Sequence, residues 1–91
     1  MAVQVLIPTP LRKFTNNQEI ISASAGTIAT LIIEMESLFP GVSKSILDDK
    51  GELRRFVNVY VNEEDIRFLD RENTVVNDGD AVSIVPAIAG G

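Results

Sequence analysis

The sequence contains no cysteine and no histidine. The first absence excludes a disulfide scaffold, a cysteine-ligated zinc or iron–sulfur centre and an internal thiol nucleophile. The second removes the usual general base and the commonest metal ligand. Together they argue against an enzyme. Positive charge is also short, with eight Lys and Arg against thirteen Asp and Glu for a net charge of −5. A nucleic-acid binder needs clustered Lys and Arg to displace counterions, so no nucleic-acid partner is expected. The acidic balance suits a protein partner with a basic docking face. No run approaches the roughly 18 apolar residues that a membrane span needs. The opening Met-Ala-Val-Gln-Val-Leu-Ile-Pro has neither the basic lead nor the length of a signal peptide. No membrane partner is expected, and the cytoplasm is the expected location.

What remains is an ordinary globular composition, 45% apolar and 23% charged over 91 residues. That length holds one domain with a modest core, since a chain of this size buries somewhat over ~60% of its unfolded surface.

The most informative stretch runs from Asn77 to Gly91. Asn77-Asp78-Gly79-Asp80 reads as a turn, because Asp-Gly supplies a positive φ without a Cβ penalty. Val82, Ile84 and Val85 mark a strand. Pro86 has no N–H to continue a ladder, so the chain is expected to leave the sheet there as Ala87-Ile88-Ala89-Gly90-Gly91. Residues 1–86 are therefore read as the domain and 87–91 as a flexible tail. Two terminal glycines, with no Cβ, allow a carboxylate to pass through a narrow passage into another protein's active site. A frayed end would look the same from Gly-Gly alone. The strand, the proline stop and the apolar-to-glycine tail occurring together favour the first reading.

Earlier in the chain, Val3-Gln4-Val5-Leu6-Ile7 is a strand signal closed by Pro8, and Glu19-Ile20-Ile21-Ser22 is a second. Thr15-Asn16-Asn17-Gln18 suits the hairpin loop between them, with Leu11 and Phe14 extending the hairpin or its flank. From Thr27 the period lengthens to about 3.6, with Ile28, Leu31, Ile32, Met35, Leu38 and Phe39 on one stripe and Thr30, Glu34 and Ser37 outside. Thr27 is the expected N-cap, and Pro40-Gly41 ends the helix. Ser43–Leu47 suggests a further helical turn.

Asp48-Asp49-Lys50-Gly51-Glu52 lacks the alternating oxygen ligands and closing glutamate of a calcium loop, so a solvated loop is the better reading than a metal site. Val57, Val59 and Val61 alternate with Phe56, Asn58, Tyr60 and Asn62, which places the valines toward the helix. Glu63-Glu64-Asp65 reads as a turn and Ile66-Arg67-Phe68 as a short edge strand. These acids have no apolar pocket to raise a pKa, so no acid–base role is assigned.

The order β, β, α, β, β, β predicts an α+β fold: a mixed five-stranded sheet with one main helix across one face, and the first and last strands adjacent at its centre. On that alternation Leu6, Phe56, Tyr60 and Val85 fall on the opposite face and form a candidate docking patch.

The ending Asp78-Gly79-Asp80, Val82, Ile84, Pro86 and Gly90-Gly91 resembles that of the ubiquitin-like β-grasp sulfur carriers, the ThiS/MoaD-like family that serves thiamine, molybdopterin and an alternative cysteine synthesis. Ile7-Pro8-Thr9, Arg55-Phe56-Val57-Asn58, Tyr60-Val61-Asn62, Glu64-Asp65-Ile66-Arg67-Phe68 and Ala87-Ile88-Ala89 are similar to its cysteine-synthesis branch. The resemblance implies a carrier rather than an enzyme. Its Gly91 carboxylate would be adenylated by an ATP-dependent E1-like enzyme and converted to a thiocarboxylate, with Gly90, Ala89, Ile88 and Ala87 entering the partner. It also implies a pyridoxal-phosphate (PLP)-dependent cysteine synthase as acceptor and a zinc metalloprotease that releases the product. ATP, PLP and zinc would then belong to the partners, and no cofactor or metal to this chain. A monomer is expected, because a dimer would cover the face and tail that partners need. Other readings are a molybdopterin-synthase small subunit, a thiamine sulfur carrier, a protein modifier forming isopeptide bonds, and a binding module with an idle tail.

Overall fold

Alternating valines build the centre of the sheet. In the computed structural model, which describes residues 2–86, Val3 and Val5 of β1 (Val3–Leu6) and Val57, Val59 and Val61 of β4 (Val57–Val61) all turn inward. They meet Val82 and Ile84 of β7 (Ala81–Pro86), also buried. Two further strands complete the five-stranded sheet: β2 (Ile20–Ala23) and β5 (Glu64–Asp65), in the order β2-β1-β7-β4-β5. β7 runs parallel to β1 and antiparallel to β4. The first and last strands are therefore neighbours, as expected, and β7 is the middle strand. A separate two-stranded ladder joins β3 (Gly26–Thr27) to β6 (Val75–Val76).

The main helix, α1 (Ile28–Leu38), crosses the valine face and buries Ile28, Leu31, Ile32 and Met35. Each such side chain, fully buried, contributes about 1.5–3 kcal/mol. Thr27 is its N-cap: the Thr27 Oγ1 accepts the Thr30 N–H at 3.2 Å, and the Thr30 Oγ1 accepts the Thr27 N–H at 2.9 Å. The Thr30 hydroxyl fills the role that Glu or Gln usually takes in this reciprocal arrangement. Leu38, expected on the buried stripe, is 54% exposed. The space beyond Met35 is taken instead by Val42 and by Ile46 of α2 (Ser43–Ile46), both fully buried.

Two other segments depart from expectation. Leu11 and Phe14 lie in a 3₁₀ helix, Thr9–Phe14, between β1 and β2, with Leu11 in the core. The hairpin loop that follows holds Asn16 and Asn17 at φ 53° and 65°, a left-handed conformation that asparagine tolerates better than most side chains. The edge strand is Glu64–Asp65, and Ile66–Phe68 is a 3₁₀ helix. Asn62 and Glu63, at φ 50° and 76°, make the reversal expected one residue later. Asp65 then accepts the Arg67 N–H at 2.8 Å, which caps a helical turn and lets Ile66 enter the core.

No helix among the described residues is long and apolar enough to cross a membrane.

Candidate functional site

β7 leads to the tail; it is paired on both flanks up to Ser83 and with β4 alone from Ile84 to Pro86. Val82 pairs with Val5 on one flank and Val61 on the other, while Ile84 pairs with Val59 and Pro86 with Val57. A proline is acceptable there because it is the final position of the strand. Ala87, Ile88, Ala89, Gly90 and Gly91, the residues expected to enter a partner and carry sulfur, lie outside the described residues.

The turn that launches β7 is held by side chains. Gly79 sits at φ 92°, and the Asp80 Oδ2 accepts the Asn77 N–H at 2.8 Å. That bond, with a second from the Asn62 amide, holds the Asp80 carboxyl below the usual carboxylate range. Two other carboxylates are depressed. Glu36 is lowered by bonds from the Ser43 side chain and then from the Gly41 and Ser43 N–H groups, and Asp48 by the Glu52 N–H and then by that of Lys50. All three are anions that tie down backbone, the reverse of a carboxyl tuned to donate a proton. Asp48 Oδ1 is already committed to the Lys50 and Glu52 N–H groups at 2.9 and 3.0 Å. Among the described residues no cluster of three or more carboxylates could hold a metal.

The sheet face opposite α1 carries three of the four residues expected to form a patch. Leu6 and Tyr60 both stand opposite Ser83 in the register, one on each side, and Val85 follows two residues further along β7. Leu6 and Val85 are exposed and Tyr60 is partly so. Phe56 precedes β4 in a turn, so strand alternation does not set its direction; it is 55% exposed and lines a cleft with Arg54, Arg55, Asp48 and Val57. Ile20, 53% exposed and paired with Leu6, extends the same face and was not anticipated. Two adjacent isoleucines, Ile20 and Ile21, conceal which one points out, and only the register with β1 decides. Arg67 braces the far side: its guanidinium donates to the Asn58 Oδ1 at 2.6 Å and to the Arg54 carbonyl at 2.8 Å.

The described residues thus offer a strand end paired to β4 and a partly apolar face, and no group of three or more metal-ligating side chains is found among them. The profile of the ThiS family matches residues 5–91. The chain is 46% identical to the sulfur carrier protein CysO of Mycobacterium tuberculosis over 93 residues, covering all of both chains. In the crystal structure of the Amycolatopsis orientalis BexX/CysO complex the matching chain is 41% identical, superimposes with a TM-score of 0.93 and covers 99% of this chain and 100% of that one. The crystal structure of Mycobacterium tuberculosis CysO gives a TM-score of 0.90 at 44% identity, covering 94% of this chain and 99% of that one. A β-grasp sheet whose middle strand runs toward a glycine-ended tail, matched in sequence from residue 5 to the last glycine, places this chain in the ThiS family.

Proposed function

We propose that this protein is a sulfur carrier in which the Gly91 carboxylate is the working group. The observation that carries the reading is β7, the middle strand, paired with β1 up to Ser83 and with β4 as far as Pro86, and followed by Ala-Ile-Ala-Gly-Gly. Such an arrangement holds the root of the tail while leaving slim residues beyond it to enter a partner. Full-length similarity to CysO supports the same role.

In the first step a carboxylate oxygen of Gly91 attacks the α-phosphorus of ATP on an E1-like enzyme, and pyrophosphate leaves. The resulting acyl adenylate has a good leaving group. A sulfur nucleophile then attacks the acyl carbon, AMP departs with the bonding electrons, and the carrier ends in a thiocarboxylate. The acceptor is an electrophile made from an activated serine on a PLP-dependent cysteine synthase, and a zinc metalloprotease frees cysteine from the tail. The carrier is a co-substrate throughout and supplies no catalytic side chain. Gly90 and Ala87–Ala89 pass through the enzyme's channel, and Leu6, Tyr60 and Val85, with Phe56, form the docking face.

The test is intact-mass measurement after incubation with the activating enzyme, ATP and a sulfide source. The expected gain corresponds to replacement of one oxygen by sulfur and is absent from a variant lacking Gly91. No gain, or a covalent adduct to lysines of other proteins, would overturn the assignment.

A further inference from the structure

Charge is sorted along β7. The strand starts beside residues 62–65, with Glu63, Glu64 and Asp65, and the turn at 77–80, with Asp78 and Asp80, and neither segment contains a Lys or Arg. Its other end is different. β1 runs parallel to β7 and passes at that end into the 3₁₀ helix bearing Arg12 and Lys13. β4 runs antiparallel and begins there, just after Arg54 and Arg55.

Three of the acids near this end are engaged, one of them Glu72, whose carboxylate accepts the Leu53 N–H at 2.7 Å. Glu19 lies 3.6 Å from the Arg12 guanidinium, and the Asp48 carboxylate accepts two backbone N–H groups. Asp49 lines a neighbouring hollow with Lys44, and Glu52 is exposed on the same loop. The Arg54 Nε donates to the Lys44 carbonyl at 2.7 Å. Arg55 is exposed and has no ion pair among the described residues. With Arg54, Phe56, Val57 and Asp48 it lines a cleft of about 280 Å³, and Val57 is the residue paired with Pro86.

The tail's length brings this cleft into play. Five residues follow Pro86, and at full extension they reach at most about 18 Å. A reacting centre that meets Gly91 must therefore lie within that distance of the strand end, which brings the enzyme's surface against the cleft.

We propose that the cleft beside the tail root, with Arg55 as its unpaired cation and Phe56 as its apolar wall, receives an acidic rim around the passage of the enzyme that takes in the tail. An acidic protein thus docks through its basic end, and the local charge rather than the net charge selects the partner. The proposal rests on the reading that residues 87–91 enter an enzyme.

The test titrates the full-length carrier against the activating enzyme at low salt and at about 0.5 M salt, where screening shortens the Debye length to a few ångströms. Arg55→Glu is compared with Arg71→Glu, which changes net charge equally at a residue that does not line the cleft. Arg55→Glu is expected to weaken binding roughly tenfold at low salt and to lose most of the salt dependence, with Arg71→Glu within about twofold of wild type. Wild-type binding by Arg55→Glu, equal losses in both variants, or no binding by the wild type overturns the proposal. The mass measurement is run in parallel. Oxygen-to-sulfur exchange without any charge effect removes the cleft and keeps the carrier, whereas a charge effect without exchange removes the carrier and keeps the cleft.

Discussion

The side-chain amide of Asn62 joins Asp80 to the start of the last strand: its Nδ2 donates to the Asp80 Oδ1 at 2.9 Å while its Oδ1 accepts the Ala81 N–H at 3.0 Å. Its own N–H reaches the Ala81 carbonyl at 2.8 Å. One residue therefore fixes the β4–β5 reversal to the turn from which β7 departs. Asn62→Ala removes both side-chain bonds and puts a Cβ without local polar support at φ 50°, so a loss of about 1–3 kcal/mol is expected. Asn62→Gly restores the backbone freedom and should lose less. Urea denaturation of both variants checks this; equal losses would show that the left-handed backbone contributes nothing.

Acid should loosen the connections rather than the core. Glu36, Asp48 and Asp80 have folded pKa values below their ordinary ones. Their contribution to stability is thus complete above the unfolded carboxyl value, about 4, and is lost as pH falls through the depressed folded values. Thermal midpoints are expected to hold between pH 7 and about 5 and to drop below about 4. Glu36→Gln should lower the midpoint at neutral pH, with a gap to wild type that narrows at pH 3. A constant gap would rule out the ionised carboxylate as the capping species.

At Gly26 an added Cβ would stand 2.5 Å from the Thr30 Oγ1. That oxygen cannot swing away without giving up the Thr27 N–H. Gly26→Ala is therefore expected to cost about 1–2 kcal/mol through the helix cap. Adding Thr30→Ala to it should cost much less than the two single losses combined. Strict additivity in that double-mutant cycle would separate the glycine from the cap.

The outer sheet face divides stability from association. Leu6 and Ile20 are paired and exposed, so Leu6→Ser and Ile20→Ser should change unfolding free energy by no more than about 0.5 kcal/mol. If the face docks the activating enzyme, each should weaken binding several-fold, because apolar contacts at the centre of an interface carry much of its energy. Titration with unchanged affinity in both variants would place the docking surface elsewhere.

Much of this architecture is legible in the chain because its periods are clean. Val57, Val59 and Val61 alternate without interruption, and the α1 stripe keeps its spacing from Ile28 to Met35. The adjacency of β1 and β7 follows from their apolar content, since the most buried strands belong in the middle of a sheet. Other elements have no period to read. β3 and β6 are two residues each, and Ile66–Phe68 turns helical because of one carboxylate, Asp65. Leu38 obeys the helical spacing but lies beyond the core, a fact set by where Val42 and Ile46 pack. The tail's chemistry is legible only through its resemblance to a family, because Gly-Gly alone states no reaction. The cleft at Arg55 is hidden for a different reason: Arg54 and Arg55 become neighbours of Pro86 only through the β4–β7 register.

The pairing of β7 on both flanks also has a mechanical meaning. A pull on Pro86 acts along the strand, and the ladder to β4, which reaches Pro86, and the ladder to β1, which covers Ala81–Ser83, both lie across that pull. Their hydrogen bonds are loaded in shear rather than opened one after another as at a peeled edge. A pull on the C-terminus therefore works against a strand anchored as far as Pro86.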